Sequence, residues 1–393
     1  MPLSYDFSAP QQIVFGWGRR NEVGPLARSL GRRAFIVCGA AALEEQGYMA
    51  EIGQSLRGAG VEPVPVETIS HEPEVGDVDR LTADLRARGV VVGDLLLAVG
   101  GGAAIDLAKA LAAMATNTQS TTVRDYLEGV GRGLKLEVQP LPVLAMPATA
   151  GTGAEATKNA VISCYDPPFK KSLRDQRLLP RIALLDPELT VSVPAAVTAA
   201  SGMDAITQLI ESYLSKKAQP IPLALAIQGL QMALPSIVEA VEHGDRRGPR
   251  EKMAHAALLS GMALANSGLG MAHGVAAALG VHCRTPHGVA CALMLPVALK
   301  VNRQVCLPEL AVLSRRLMAP DVWLSDDKAA ADSLIYRIER LCDRVKVPRR
   351  LSQVGAVAGQ IPSLVRSSRG ASMSGNPRDL SDDELTRILE EIL

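Results

Sequence analysis

The sequence predicts a Rossmann-like α/β domain, a doubly wound parallel sheet, followed by an all-α domain. Three observations carry that prediction. Short apolar strands alternate with helical stretches through the first half of the chain, as in βαβ units. One of those strands runs into three consecutive glycines and then a helix. Beyond Pro194 the alternation gives way to helical periodicity with little strand signal. At 393 residues the chain exceeds the usual size of one hydrophobic core, and the change of pattern sets the domains at 1–194 and 195–393.

Gln12–Phe15 reads as a strand that ends in the turn Gly16-Trp17-Gly18. After a short helix, residues 34–38 form a continuous apolar strand closed by Gly39. A helix over 43–59, a strand over 61–66 and a helix over 78–88 follow. The clearest strand, 94–99, enters Gly100-Gly101-Gly102 and the helix 104–114. Further strands are expected at 141–146 and 182–185, with a shorter one at 160–163. In the second half, Ser381-Asp382-Asp383-Glu384 is a capping box opening the last helix, 385–393. The stretch 366–378, rich in Ser, Gly and Arg, is the expected mobile loop.

Composition narrows the function classes. The 41 basic residues balance 41 acidic ones without a long basic block, which argues against nucleic acid or an anionic membrane as the main partner. No basic leader precedes an apolar core, and no uninterrupted apolar run reaches membrane-spanning length, so a soluble, cytoplasmic protein is expected. Cys38, Cys164, Cys283, Cys291, Cys306 and Cys342 lack CxxC or disulfide-like spacing; they read as reduced thiols, and none is assigned chemistry. Aromatics, at 3%, leave few rings for stacking on bases.

Two loops point to a nucleotide. Bare backbone N–H groups at Gly100, Gly101 and Gly102, where the following helix begins, favour a diphosphate, although Ile105 occupies the third glycine position of GxGxxG. Asp106 and Lys109, three apart on that helix, are either a surface ion pair or a hydrogen bond near the cofactor with a lysine securing the turn. The loop from Pro147 to Glu155 offers the hydroxyls of Thr149 and Thr152, and in a doubly wound sheet neighbouring strand ends line one crevice.

The second half offers metal ligands. His273 lies in an apolar helical run that Gly280 and Pro286 break, so that His287 opens the next helix. A histidine in such a helix is also often a hydrogen-bonded core residue. Asp204 and Gln208, four apart, share a helical face, and with the two histidines they make a set able to enclose a cation.

In this order the motifs Gly100-Gly101-Gly102 through Lys109, Pro147 through Glu155, Asp186-Pro187-Glu188, Gly202 through Glu211 and the two-histidine stretch resemble the iron-dependent (group III) alcohol dehydrogenases, a family similar to lactaldehyde reductase, glycerol dehydrogenase and maleylacetate reductase. The resemblance covers nearly the whole chain and implies the dehydroquinate-synthase-like architecture. It implies an NAD(P)-binding first domain, a helical domain holding Fe, Zn or another divalent metal, and a short alcohol or aldehyde substrate in a cleft between them. Asp204, His273 and His287 match three of the family's four metal ligands, and Gln208 stands where the fourth is usually histidine. An amide oxygen is a harder, weaker donor than imidazole, so either preference is expected to drift from Fe or Zn toward Mn or Mg, or affinity to fall. Ala277 replaces a family histidine near the nicotinamide, and Ala103 a frequent serine on the phosphate turn. His282 is close enough in sequence to stand in for the missing histidine, but its neighbours read as solvent-facing.

Gly39 occupies a position where NAD-selective relatives often carry an acidic residue, so NADP is permitted and favoured, although no Arg or Lys stands beside it to hold a 2′-phosphate. The reading is therefore a metal-dependent NAD(P)-linked alcohol dehydrogenase. A lyase similar to dehydroquinate synthase and a nucleotide-binding relative with an impaired metal site are the alternatives. Lys158, Asn159 and Lys171 follow the threonine loop as candidate substrate contacts, with Lys171 the more natural surface residue. A homodimer is expected, through Gln12–Phe15 pairing as an edge strand with its copy.

Overall fold

The computed structural model describes residues 4–318 and 324–393. The chain divides into two compact units: Ser8–Val193, and Pro194–Leu393 with the residues before Ser8.

The first unit follows β1 (Gln12–Phe15), α1 (Val23–Arg28), β2 (Arg33–Cys38), α2 (Ala41–Glu45), α3 (Tyr48–Gly58), β3 (Glu62–Thr68), α4 (Val75–Ala87), β4 (Asp94–Gly100), α5 (Gly102–Thr116), β5 (Val143–Pro147), β6 (Asn159–Tyr165), β7 (Pro168–Arg174) and β8 (Ile182–Leu185). Six strands form a parallel sheet in the order β1-β8-β5-β4-β2-β3. All seven residues of β4 are buried, as expected of a central strand covered on both faces. Side chains alternate along it. Leu96 and Ala98 join the core with α4 and α5, while Leu95, Leu97 and Val99 join the core with α1 and α3. Each fully buried leucine stabilises this packing by roughly 1.5–3 kcal/mol.

Three details depart from expectation. The helix expected over 43–59 is two helices, because Gly47 takes a left-handed φ of 81° between them. The strand near 160 is longer and lies outside the main sheet, in an antiparallel hairpin with β7, whose sequence PFKKSLR gives no clean apolar alternation. Asp106 and Lys109 are no surface pair. Lys109 is fully buried and its Nζ donates to Thr157 Oγ1 (2.9 Å) and to the Asn159 carbonyl (3.0 Å), so it ties α5 to the start of β6.

Among the described residues, the second unit holds α6 (Ala195–Leu214), α7 (Pro220–Glu242), α8 (Arg247–Asn266), α9 (Met271–Cys283), α10 (His287–Asn302), α11 (Leu307–Leu317), α12 (Asp327–Arg344), α13 (Ile361–Ser367) and α14 (Asp382–Glu391). Helix α7 is the one unbroken described helix long and apolar enough to cross a membrane by length and composition. It packs against α6 and α8: a methyl on Gly229 would stand 2.7 Å from Leu209, and one on Gly202 would stand 2.9 Å from Ile237. The capping box of the last helix forms, Ser381 Oγ accepting from the Glu384 amide at 3.1 Å, with the helix starting at Asp382.

The stretch 366–378 is anchored rather than loose. Asn376 is buried and exchanges hydrogen bonds with Asn302 at 2.9 and 3.0 Å, and its Oδ1 also accepts from the Met271 amide at 3.1 Å. Its polar composition serves this buried amide pair, which composition alone reads as solvation. Gly280 does not end its helix either; α9 runs through it to Cys283, and the break comes at Arg284, with a left-handed φ of 56°.

Candidate metal centre and cofactor turn

Three helices bring the metal candidates together. Asp204 lies buried in the middle of α6, His273 in the first turn of α9 and His287 at the first position of α10. The approach of α10 to α6 depends on Gly288, where a methyl would meet the Ala200 carbonyl oxygen at 2.4 Å. His273 Nε2 stands 3.2 Å and His287 Nε2 3.9 Å from Asp204 Oδ1, and the two imidazoles meet edge to face with centroids 5.6 Å apart.

A fourth residue joins them. One turn along α10 from His287, the buried Cys291 has its Sγ 3.6 Å from His287 Nε2, and one donor atom from each of Asp204, His273, His287 and Cys291 lies within 4.8 Å of all the others. The sequence reading assigned no chemistry to any cysteine; the structure sets Cys291 among the candidate ligands. The i, i+4 spacing that paired Asp204 with Gln208 was present here too, in His287 and Cys291, but the apolar run hid it.

Glu211, also missed, fixes the ring of His273. Its Oε2 accepts from His273 Nδ1 at 2.7 Å, while Oε1 accepts from the Ala272 amide at 2.7 Å, so one carboxylate orients the imidazole and caps α9. Gly270 makes room: a methyl there would come within 2.7 Å of Glu211 Oε1. The sequence signal was a glutamate one further turn along the Asp204–Gln208 face.

Electrostatics follows from this packing. Burial opposes ionisation of Asp204, but the adjoining His287 and the hydrogen bond from His273 outweigh it and hold the carboxyl below its usual range. Burial likewise disfavours a charged His273; the Cys291 sulfur and the Asp204 and Glu211 carboxylates reverse this and raise it well above an ordinary histidine. Burial pushes the Cys291 thiol up to about 12.

The donor set fits a divalent metal. Ligands about 2.0–2.3 Å from a tetrahedral centre lie roughly 3.3–3.6 Å from one another. The separations of 3.2, 3.6 and 3.9 Å bracket that span. The hydrogen bond from His273 Nδ1 to a carboxylate is the usual outer partner of a metal-bound histidine. Gln208 is buried on the same face as Asp204, with Oε1 2.7 Å from Ser260 Oγ. That hydroxyl is also 2.7 Å from the Ala257 carbonyl, and its single proton serves only one of the two acceptors. With the proton donated to Gln208 Oε1, the amide oxygen is engaged and its NH2 is the end left over.

His282 is half-buried, with its Nε2 2.7 Å from Ser367 Oγ. Ala277 is half-buried one turn after His273 and offers no proton-carrying group.

In the first unit, α5 starts after Gly101 with no side chain capping it, leaving the first amides open to an anion. The backbone here is crowded. A methyl on Gly102 would lie 2.6 Å from Thr152 Oγ1, one on Gly101 3.3 Å from Thr149 Oγ1, and one on Gly39 2.8 Å from Gly100 Cα. The two threonine hydroxyls and the glycine turn thus stand side by side, a cradle that side chains would fill. Asp106 is partly committed elsewhere: Oδ2 accepts from the Val161 amide at 3.1 Å, and Oδ1 is 3.6 Å from Lys109 Nζ. Behind the threonine loop, Glu155 is fully buried with no hydrogen-bond partner on Oε1, and burial pushes its carboxyl up to about 7 against the pull of Lys109.

Residues 10–187 match the family profile of iron-containing alcohol dehydrogenase, and residues 198–393 that of the Fe-containing alcohol dehydrogenase family, C-terminal. The chain belongs to the iron-containing alcohol dehydrogenase family. It is similar to the probable alcohol dehydrogenase EutG of Escherichia coli K12, 33% identical with 97% of this chain and 93% of that protein covered. It is also similar to the NAD-dependent methanol dehydrogenase of Bacillus methanolicus, 30% identical over 99% of this chain and 100% of that protein. Among solved structures, a 1,3-propanediol oxidoreductase superposes with a TM-score of 0.91 at 29% identity, covering 100% of both chains. This membership does not favour the lyase alternative.

Proposed function

We propose that this chain is a metal-dependent, NAD(P)-linked oxidoreductase that interconverts a short alcohol with its aldehyde or ketone, working in the cytoplasm as a homodimer. The observation that carries the reading is the convergence of Asp204, His273 and His287 from three helices, with Glu211 fixing the ring of His273. Asp204, His273 and His287 hold the ion together with a fourth donor beside them. A divalent ion there supplies Lewis acidity for the substrate oxygen, and the nicotinamide exchanges the hydride.

The chain's own residues do the rest. Glu211 keeps the His273 Nδ1 proton, so that Nε2 is the nitrogen presented to Asp204 and the ion. The open amides at the start of α5, with Thr149 and Thr152, bind the cofactor diphosphate, and Asp106, held by the Val161 amide and facing Lys109, anchors α5 beside that turn. Gly39 puts no acidic group near the ribose, which supports acceptance of NADP as well as NAD. With Ala277 next to the centre, no histidine one turn after His273 relays the alcohol proton, so solvent or a substrate hydroxyl carries it.

The test is protein purified without chelators, measured for metal content, for NADH and NADPH binding by fluorescence, and for turnover with short alcohols and aldehydes. Stoichiometric metal, cofactor binding and turnover are expected, with His273→Ala losing metal and turnover while keeping cofactor binding. Full turnover by metal-free protein or by His273→Ala refutes the reading.

A further inference from the structure

We propose that the Cys291 thiolate, rather than the Gln208 amide, is the fourth protein donor of the metal centre, and that it makes the site selective for a thiophilic ion, zinc above all, over manganese or magnesium. The inference rests on the metal-binding reading above and deepens it.

Position comes first. Cys291 follows His287 by one helical turn, is fully buried, and shares with Asp204, His273 and His287 a small volume in which four donor atoms stand within 4.8 Å of one another. Its Sγ–Nε2 separation from His287, 3.6 Å, matches the roughly 3.6 Å between a sulfur and a nitrogen bound to one tetrahedral zinc. The Gln208 amide oxygen accepts from Ser260 Oγ at 2.7 Å, and an amide is in any case a neutral, hard and weak donor.

Donor chemistry points the same way. The binding step is a ligand exchange without redox change: the metal–sulfur bond forms, the S–H bond breaks and its proton passes to water. Soft thiolate favours zinc, whereas carboxylate, amide and water favour manganese or magnesium, so the amide at 208 alone implies the opposite preference.

The test uses the whole chain, stripped of metal and reloaded with Co(II), whose thiolate complexes absorb strongly in the near ultraviolet. Wild type and Gln208→Ala are expected to take up stoichiometric cobalt and show the thiolate-to-cobalt band, and Cys291→Ser to lose it. Zinc affinity of Cys291→Ser should fall by more than the roughly 10–100-fold typical of losing an outer-shell partner, while manganese affinity stays within a few-fold. Circular dichroism establishes that the variant folds, and the wild-type spectrum needs no variant at all. Cobalt bound to wild type without the band, or a band that survives Cys291→Ser, overturns the thiolate assignment and leaves the metal site standing. No cobalt uptake by wild type overturns both.

Discussion

Replacing Glu155 with glutamine should remove a pH dependence that this single carboxyl gives the first unit. Its folded value of about 7 lies above the ordinary 4.5 because burial penalises the carboxylate. The folded state therefore holds the proton more tightly than the unfolded chain does. Stability is greatest below the unfolded value and falls as pH rises toward 7, then levels off once both states have ionised. Each unit is worth about 1.4 kcal/mol, so the loss between acid and neutral pH is roughly 3 kcal/mol. A side-chain amide at this position cannot ionise and escapes it. Wild type and Glu155→Gln should unfold at similar denaturant concentrations near about pH 5, and the variant should be the more stable by roughly 3 kcal/mol near about pH 8. That corresponds to roughly 5–10 °C in melting temperature for a unit of this size. Denaturant titrations of both proteins across that range make the comparison, because every other titrating group cancels in the difference. Parallel profiles would refute the argument that Glu155 is buried as an acid.

Two further outcomes follow from the geometry. Glu211→Gln keeps the shape but weakens the hydrogen bond that orients His273, so metal affinity should fall roughly 10–100-fold in a direct metal titration; unchanged affinity would reduce Glu211 to a helix cap. Gly102→Ala drives a methyl against Thr152 Oγ1 and should weaken NADH and NADPH binding alike, with partial recovery in Gly102→Ala/Thr152→Ala, as read by nucleotide fluorescence.

How much was legible in the sequence depended on whether the signal was periodic or came from contact. The strands of the parallel sheet were apolar runs between glycines, and Asp204, His273 and His287 were conspicuous as polar residues in apolar helices, so the order of elements and three members of the centre could be read directly. Strand β7 could not, because it pairs only with β6 and its lysines serve no alternating pattern. The roles of Lys109 and Asn376 were hard to read for a shared reason. A polar side chain is assumed to face water, and both are instead buried against carbonyls and hydroxyls supplied by segments distant in sequence. Cys291 was hidden by its own chemistry, since a thiol among alanines and leucines looks like one more small apolar residue.

Gly39 constrains how this enzyme can be re-engineered. The family resemblance makes this the place where NAD-selective members often carry an acidic side chain. Here any β-carbon would stand 2.8 Å from the Gly100 α-carbon and 3.0 Å from the Gly101 nitrogen, so the side chain and the diphosphate turn compete for one space. A single exchange at 39 would push the turn away before it could reach the ribose. A side chain at 39 is therefore mechanically linked to the spacing of β2 and β4, whose neighbouring ends must move together to admit it.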